Sequence, residues 1–341
     1  MSLLEVHNLK VDFDTDDGVV KAVDDASFAV ERGQTLGIVG ESGCGKSVAN
    51  MTILGLTRSP NTTISGRILL EGRDLNEMSA EDLRGVRGRE IAMIFQDPLT
   101  SLHPFYRIGK QLVEAMQAHQ DVSKDVARRR AVELLGLVGI PDPERRVDDY
   151  PHEFSGGMRQ RAMIAMALIN DPKVLIADEP TTALDVTIQA QILALLERLQ
   201  QQLGMAVILI THDLGVVAEI ADSINVMYAG HMVETGTLDQ IFYDPQHPYT
   251  WGLLGSIARP DRERMHRLAQ IEGQPPSLIA LPQGCHFRPR CPHAFSRCTE
   301  LPALQVRGGQ QGHLDRCWLT PERKQVLRVV EGGNIGLEVP A

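Results

Sequence analysis

Apolar positions along the chain change period several times, and each change marks an element. Residues 3 to 13 partly alternate, and alternation resumes over residues 21 to 30 after the turn signal Asp16, Asp17 and Gly18, so both segments are expected as strands. Residues 35 to 39 form a short continuous apolar run suited to a buried strand, and residues 47 to 56 suit a helix. Residues 64 to 70 and 90 to 95 are further strand candidates. From about residue 107 to 140 the pattern turns helical, with Val132, Leu134, Leu135 and Val138 on one face. A second helix is expected over 158 to 169, a buried strand over 173 to 177, a helix over 186 to 203 and a strand over 206 to 210. Residues 223 to 228 and 231 to 234 predict a hairpin turning at Ala229 and Gly230. Strands alternating with helices predict an α/β core. The stretch from about 107 to 170 stands out as an inserted helical subdomain.

Composition narrows the class without changing this picture. The chain has 341 residues, 43% hydrophobic and 23% charged, ordinary values for a globular protein. A formal net charge of −10 argues against broad nucleic-acid binding. The three arginines Arg128, Arg129 and Arg130 read as a solvated face. An apolar run of about 18 residues is missing, as is a basic segment leading into an apolar core at the N-terminus, so neither a membrane span nor a secretory signal is expected. That places the chain in the cytosol, where five cysteines are free, catalytic or metal-bound rather than paired.

The candidate chemistry begins at Gly40, Glu41, Ser42, Gly43, Cys44, Gly45, Lys46 and Ser47. The spacing Gly-x4-Gly-Lys-Ser between an apolar strand and a helix is that of a phosphate-binding loop. The glycines let successive N–H groups face phosphate oxygens, and the helix N-terminus adds favourable potential for an anion. Lys46 would reach the β- and γ-phosphates and Ser47 would place its hydroxyl on Mg²⁺. The apolar run 174 to 177 ends in Asp178 and Glu179. An acid at the carboxyl end of such a strand can hold hydrated Mg²⁺, the role expected of Asp178, while Glu179 could polarise the attacking water as general base. Just upstream, Ser155, Gly156 and Gly157 can open a helix and offer N–H groups to an anion.

In these motifs the sequence resembles the ATP-binding cassette (ABC) family. Residues 40–47 match its Walker A loop and 174–179 its Walker B strand. The family signature, usually Leu-Ser-Gly-Gly-Gln, reads Phe154, Ser155, Gly156, Gly157 and Met158, departing at its first and fifth positions. Ala183, Leu184 and Asp185 match the D-loop, Gln96 the Q-loop and His212 the switch histidine. The resemblance covers about residues 1–250 and implies a P-loop ABC-type ATPase core with an antiparallel β subdomain and the helical insertion. It also implies Mg²⁺-dependent ATP hydrolysis between two cassettes joined head to tail. Lys46, Ser47, Gln96, Asp178, Glu179 and His212 would serve one site, and Ser155, Gly156 and Gly157 the opposite one. His212 would sense the γ-phosphate, Gln96 would touch Mg²⁺ or water, and Asp185 would lie near the nucleotide. Phe13 is either an adenine-stacking aromatic or a core residue.

Asp97 to Pro104 and the run His247, Pro248, Tyr249 and Thr250 look like the oligopeptide and dipeptide importer subgroup. That likeness implies two membrane permease subunits, a second ATPase that is a paralogue (a heterodimer), an extracytoplasmic solute-binding protein, and a peripheral position on the cytoplasmic face of the inner membrane. Nickel and antimicrobial-peptide uptake systems share these features. A soluble cassette ATPase acting on nucleic acid or ribosomes is the rival class.

After about residue 239 prolines become frequent, and residues 251–341 are expected as a small C-terminal extension. It carries Cys285, Cys291, Cys298 and Cys317, spaced C-x5-C-x6-C-x18-C. Four thiols so close suit a [4Fe–4S] cluster or Zn²⁺, or stay free; spacing alone does not fix the metal. Cys44, inside the phosphate loop, reads as a small loop residue.

Overall fold

The computed structural model describes residues 2–97, 101–182, 184–256, 271–306 and 311–332. Pro98, Leu99, Thr100 and Ala183, named above, lie outside these residues. The chain forms two compact units, one of residues 1–4, 30–35 and 70–210, the other of residues 5–29, 36–69 and 211–341.

In the first unit the strands Ile91–Ile94, Val174–Asp178 and Ala206–Thr211 run parallel, with Ile91 opposite Val174, and Val174 opposite Ala206. Every residue of the latter two strands is buried, which is why they read as unbroken apolar runs. The helical stretch is two helices, Ile108–Gln117 and Lys124–Leu137, packed on each other and on Gly156–Leu168. The break falls where Ser123 starts the second helix, its side chain accepting from Val126 N. Leu134 and Leu135 are fully buried on that helix. On the surface Arg128 makes a bidentate pair with Asp148 and Arg130 reaches Glu133 and Asp171, so part of the basic run is held in exposed ion pairs. The helix Val186–Leu203 starts at the cap Asp185 and stops at Gly204, which takes the left-handed conformation a C-terminal cap requires.

The second unit holds an antiparallel sheet in which Leu4–Thr15 lies between Gly18–Val30 and Thr62–Leu70. It also holds a mixed sheet. Thr35–Val39 runs parallel to Ser223–Tyr228, which turns back into His231–Thr237 with a bulge between Met232 and Glu234. That strand continues the sheet through Leu314–Asp315 to Gln305–Val306. The C-terminal region therefore adds two strands of its own. Helices Pro248–Gly255 and Pro321–Gly332 complete the region.

The run His247 to Thr250 has a local physical reason. His247 caps the helix, its Nδ1 accepting from Tyr249 N at 3.1 Å, and Pro248 occupies the first turn, where no N–H is missed. Burial pushes the imidazole down to about 3, so it stays neutral and keeps the lone pair the cap needs.

Candidate phosphate loop and hydrolytic residues

The phosphate loop joins Thr35–Val39 to the helix Lys46–Ile53 in the second unit. Its glycines are required by close approach. A Cβ on Gly45 would stand 2.2 Å from Ala22 O, at a φ of +106°, and one on Gly40 would stand 2.1 Å from Met227 O. Gly43, by contrast, has open space where its side chain would be, and Ser42 beside it is exposed. Lys46 is 5% exposed, and its Nζ donates to the carbonyls of Gly40 at 2.7 Å and Glu41 at 3.0 Å. Cys44 is buried, and burial raises its thiol, which leaves it a neutral filler. Ser47 opens the helix and is half-buried.

Two contacts to this loop could not be read from the sequence, although Tyr249 belongs to the run His247 to Thr250. The N–H of Glu41 donates to Tyr249 Oη at 2.8 Å. The carboxylate of Glu41 pairs with Arg290 through two bonds of 2.6 and 3.0 Å.

In the first unit, Asp178 closes the strand Val174–Asp178 and is 8% exposed. Glu179 follows with a left-handed φ of 46°, its N–H donating to Ile210 O at 2.9 Å. That conformation is uncommon for a residue with a side chain, and six other non-glycine residues among those described, Asn8 and Asp142 included, share it. Gln96 Nε2 donates to Glu179 Oε2 at 2.9 Å, and Thr182 Oγ1 donates to the same oxygen at 2.8 Å. Residues 83 positions apart thus meet, and the structure brings together the expected general base and the expected Q-loop glutamine.

Ser155 is the cap of Gly156–Leu168, accepting from Met158 N at 3.3 Å. It and Gly156 are exposed, and a Cβ at Gly156 would meet nothing within 4 Å. Phe154, the departure in the first signature position, is 2% exposed and fills the core, so a larger apolar residue is tolerated there. Gln160 Nε2 donates to Pro180 O at 2.6 Å, tying this helix to the turn after Glu179. Asp185 accepts from Ile188 N at 3.0 Å, a capping role. His212 is exposed, just after Thr211 and before Asp213, which caps the next helix. Phe13 is half-buried in Leu4–Thr15.

Cys285, Cys291, Cys298 and Cys317 all line one cavity of the second unit, walled by Phe287 and Trp318. The four thiols share this cavity, but among the described residues no group of three or more His, Cys, Asp or Glu side chains stands in metal-holding geometry.

A strand, a glycine loop and a helix in the P-loop arrangement make the second unit's loop a binder of nucleotide phosphates, and the first unit separately ends a strand in an acid pair. A family model described as ABC transporter matches residues 23–182, and one described as oligopeptide/dipeptide transporter, C-terminal region, matches 233–298. The chain is 52% identical over 325 residues to the dipeptide transport ATP-binding protein DppD of Bacillus subtilis, spanning 95% of this chain and 96% of that one. It is 55% identical over 320 residues to the oligopeptide transport ATP-binding protein OppD of the same organism, spanning 93% and 88%. Among solved structures, a dimeric ATP-binding cassette in a post-hydrolysis state bound to ADP and Pi aligns with a TM-score of 0.61 at 26% identity, over 69% of this chain and 98% of that one. The chain belongs to the ATP-binding cassette family of transporter ATPases, in the group carrying the oligopeptide/dipeptide C-terminal region.

Proposed function

We propose that this ATPase powers the uptake of dipeptides or oligopeptides across the cytoplasmic membrane. The observation that carries the reading is its likeness, over nearly its whole length, to dipeptide and oligopeptide transport ATP-binding proteins, C-terminal region included. Among the described residues no helix is long and apolar enough to cross a membrane, so movement of cargo needs other subunits. The partners we assign are two permeases, a second ATPase that is a paralogue, and an extracytoplasmic solute-binding protein. The chain would sit peripherally at the cytoplasmic face of the inner membrane.

Each ATP would lie between the residue 40–47 loop of one cassette and Ser155, Gly156 and Gly157 of the other. Lys46 would hold the phosphates, Ser47, Asp178 and Gln96 the Mg²⁺, Glu179 the attacking water and His212 the γ-phosphate, with Phe13 and Asp185 at the margins. The Gln96 bond to Glu179 supports this reading, because it lets a change at the general base be felt in the Q-loop. ATP binding would close the pair, and hydrolysis would reset it, a population shift rather than chemistry on the peptide. Reconstitution in proteoliposomes with the candidate permeases, paralogue and binding protein tests it. ATP-dependent uptake of a labelled dipeptide or oligopeptide is expected; nickel uptake without peptide uptake would reassign the cargo.

We further propose that Cys285, Cys291, Cys298 and Cys317 hold a [4Fe–4S] cluster, with Zn²⁺ as the other candidate. Supporting this, the four thiols line one apolar-walled cavity, and four cysteines are a donor set that both groups accept. Burial pushes the Cys291 and Cys317 thiols up to about 12, so without a cation they stay protonated, whereas a bound metal would displace the protons. A cluster would supply cross-linking of a small module rather than any step of hydrolysis. Anaerobic purification should yield a brown protein with iron and sulfide matching one cluster per chain. A colourless, iron-free protein would reject the cluster, and metal analysis would then decide for zinc or free thiols.

A further inference from the structure

Arg290 sits in the 3₁₀ turn Arg288–Arg290, directly before Cys291, yet its side chain ends on the phosphate loop 249 positions away. All five of its N–H groups are engaged. Nη1 donates to Glu41 Oε2 at 2.6 Å and to Tyr228 Oη at 3.3 Å. Nη2 donates to Glu41 Oε1 at 3.0 Å and to Ile271 O at 3.2 Å. Nε donates to Glu272 O at 2.9 Å. The side chain is 5% exposed. Burial works against its charge, but the Glu41 carboxylate and Tyr228 outweigh it and leave the guanidinium above its ordinary value.

Glu41 is held at three points. Its N–H goes to Tyr249, its carbonyl accepts from Lys46, and its carboxylate lies in the Arg290 fork. Two of the three holds come from the C-terminal region. The arrangement has two physical effects. The second residue of the loop cannot rotate freely, so its neighbours' N–H groups keep a fixed aim. A carboxylate on a loop that receives a polyphosphate would repel its ligand, and a bidentate guanidinium cancels that charge where it arises.

We propose that Arg290 is a positioning residue for the phosphate loop, acting through Glu41 to set ATP affinity and not the chemical step. The inference rests on the reading that residues 40–47 hold the triphosphate. It is tested on the full-length chain with a fluorescent ATP analogue for Kd, and on the assembled complex for KM and kcat. Arg290→Ala should raise Kd and KM about ten-fold or more, with kcat changed by less than about three-fold, since a buried charge-assisted bond is lost and a bare carboxylate left behind. Adding Glu41→Gln to Arg290→Ala should recover most of the affinity, because the unpaired charge is gone. A purely structural role would leave the double variant as weak as the single one. Arg290→Lys keeps the charge without the fork and should lie between wild type and Arg290→Ala. Wild-type Kd in Arg290→Ala, or no recovery in the double variant, overturns the proposal. If Arg290→Ala fails to fold, Arg290→Lys decides: a raised Kd supports the role and an unchanged one overturns it. Lys46→Ala serves as the separate control. If it binds ATP normally, the assignment of the loop fails, independently of anything measured at Arg290.

Discussion

Glu179→Gln should bind ATP as well as the parent chain and turn it over about 10²- to 10⁴-fold more slowly, the span that general-base removal typically covers. The side chain keeps its shape, and a glutamine oxygen can still accept from Gln96 and Thr182, which now hold the carboxylate at 2.9 and 2.8 Å. What disappears is the anion able to draw a proton from water. The backbone N–H bond to Ile210 O does not involve the side chain and is kept in the variant. Nucleotide affinity and steady-state turnover, measured on one preparation, separate the two effects. Unchanged turnover would remove Glu179 from the general-base role. A loss of affinity equal to the loss of turnover would point instead to a damaged loop.

The second large effect concerns stability. Lys324 and Asp315 are both 0% exposed, with Nζ and Oδ1 2.8 Å apart. Nearby on the same sheet, fully buried Glu234 accepts from the N–H groups of Gln246 and His247 and pairs with His313 at 2.8 Å. Charges taken out of water to this degree are tolerable only while paired, so Lys324→Met should cost about 3–5 kcal/mol, because it breaks a fully buried ion pair by removing one partner. Combining it with Asp315→Leu should restore most of that loss, since replacing both partners by apolar groups is often neutral. Urea unfolding followed by tryptophan fluorescence reads the effect directly, because the chain's two tryptophans, Trp251 and Trp318, both lie in the C-terminal region. A loss below about 1 kcal/mol would mean that the pair behaves as a solvated one.

Where burial and local chemistry alone decide an element, the sequence shows it. The strands Thr35–Val39 and Ser223–Tyr228 and the helix Val186–Leu203 have the bounds their patterns predict. In each case a continuous apolar run or a 3.6-residue stripe is framed by turn or capping residues. The stretch from 107 to 140 read as one helical region because both of its helices bury the same kind of face, and the cap at Ser123 was the only mark of the break. The phosphate loop and the acid pair were legible because their chemistry is encoded in contiguous residues. Arg290 was not, since it reaches Glu41 across more than 200 positions without a periodic or spaced signal, and Tyr249, though part of the run His247 to Thr250, gave no sign of its contact with Glu41. The two short strands Leu314–Asp315 and Gln305–Val306 were equally silent: two residues cannot show a period, and only the free edge of a neighbour makes them strands.

That free edge has a practical consequence. The recognised C-terminal match stops at residue 298, which suggests a convenient place to shorten the protein. A chain ended there would lose Leu314–Asp315, and with it the outer neighbour of His231–Thr237. Glu234 would lose His313 at the same stroke. The trimmed protein would uncover the backbone at Glu234 and Thr235, beside a carboxylate left with only the Gln246 and His247 N–H groups, an opening for one molecule to pair with the next. Residues 305–306 and 314–315 are the selvedge of this sheet, covering the strand that a shortened chain would leave bare.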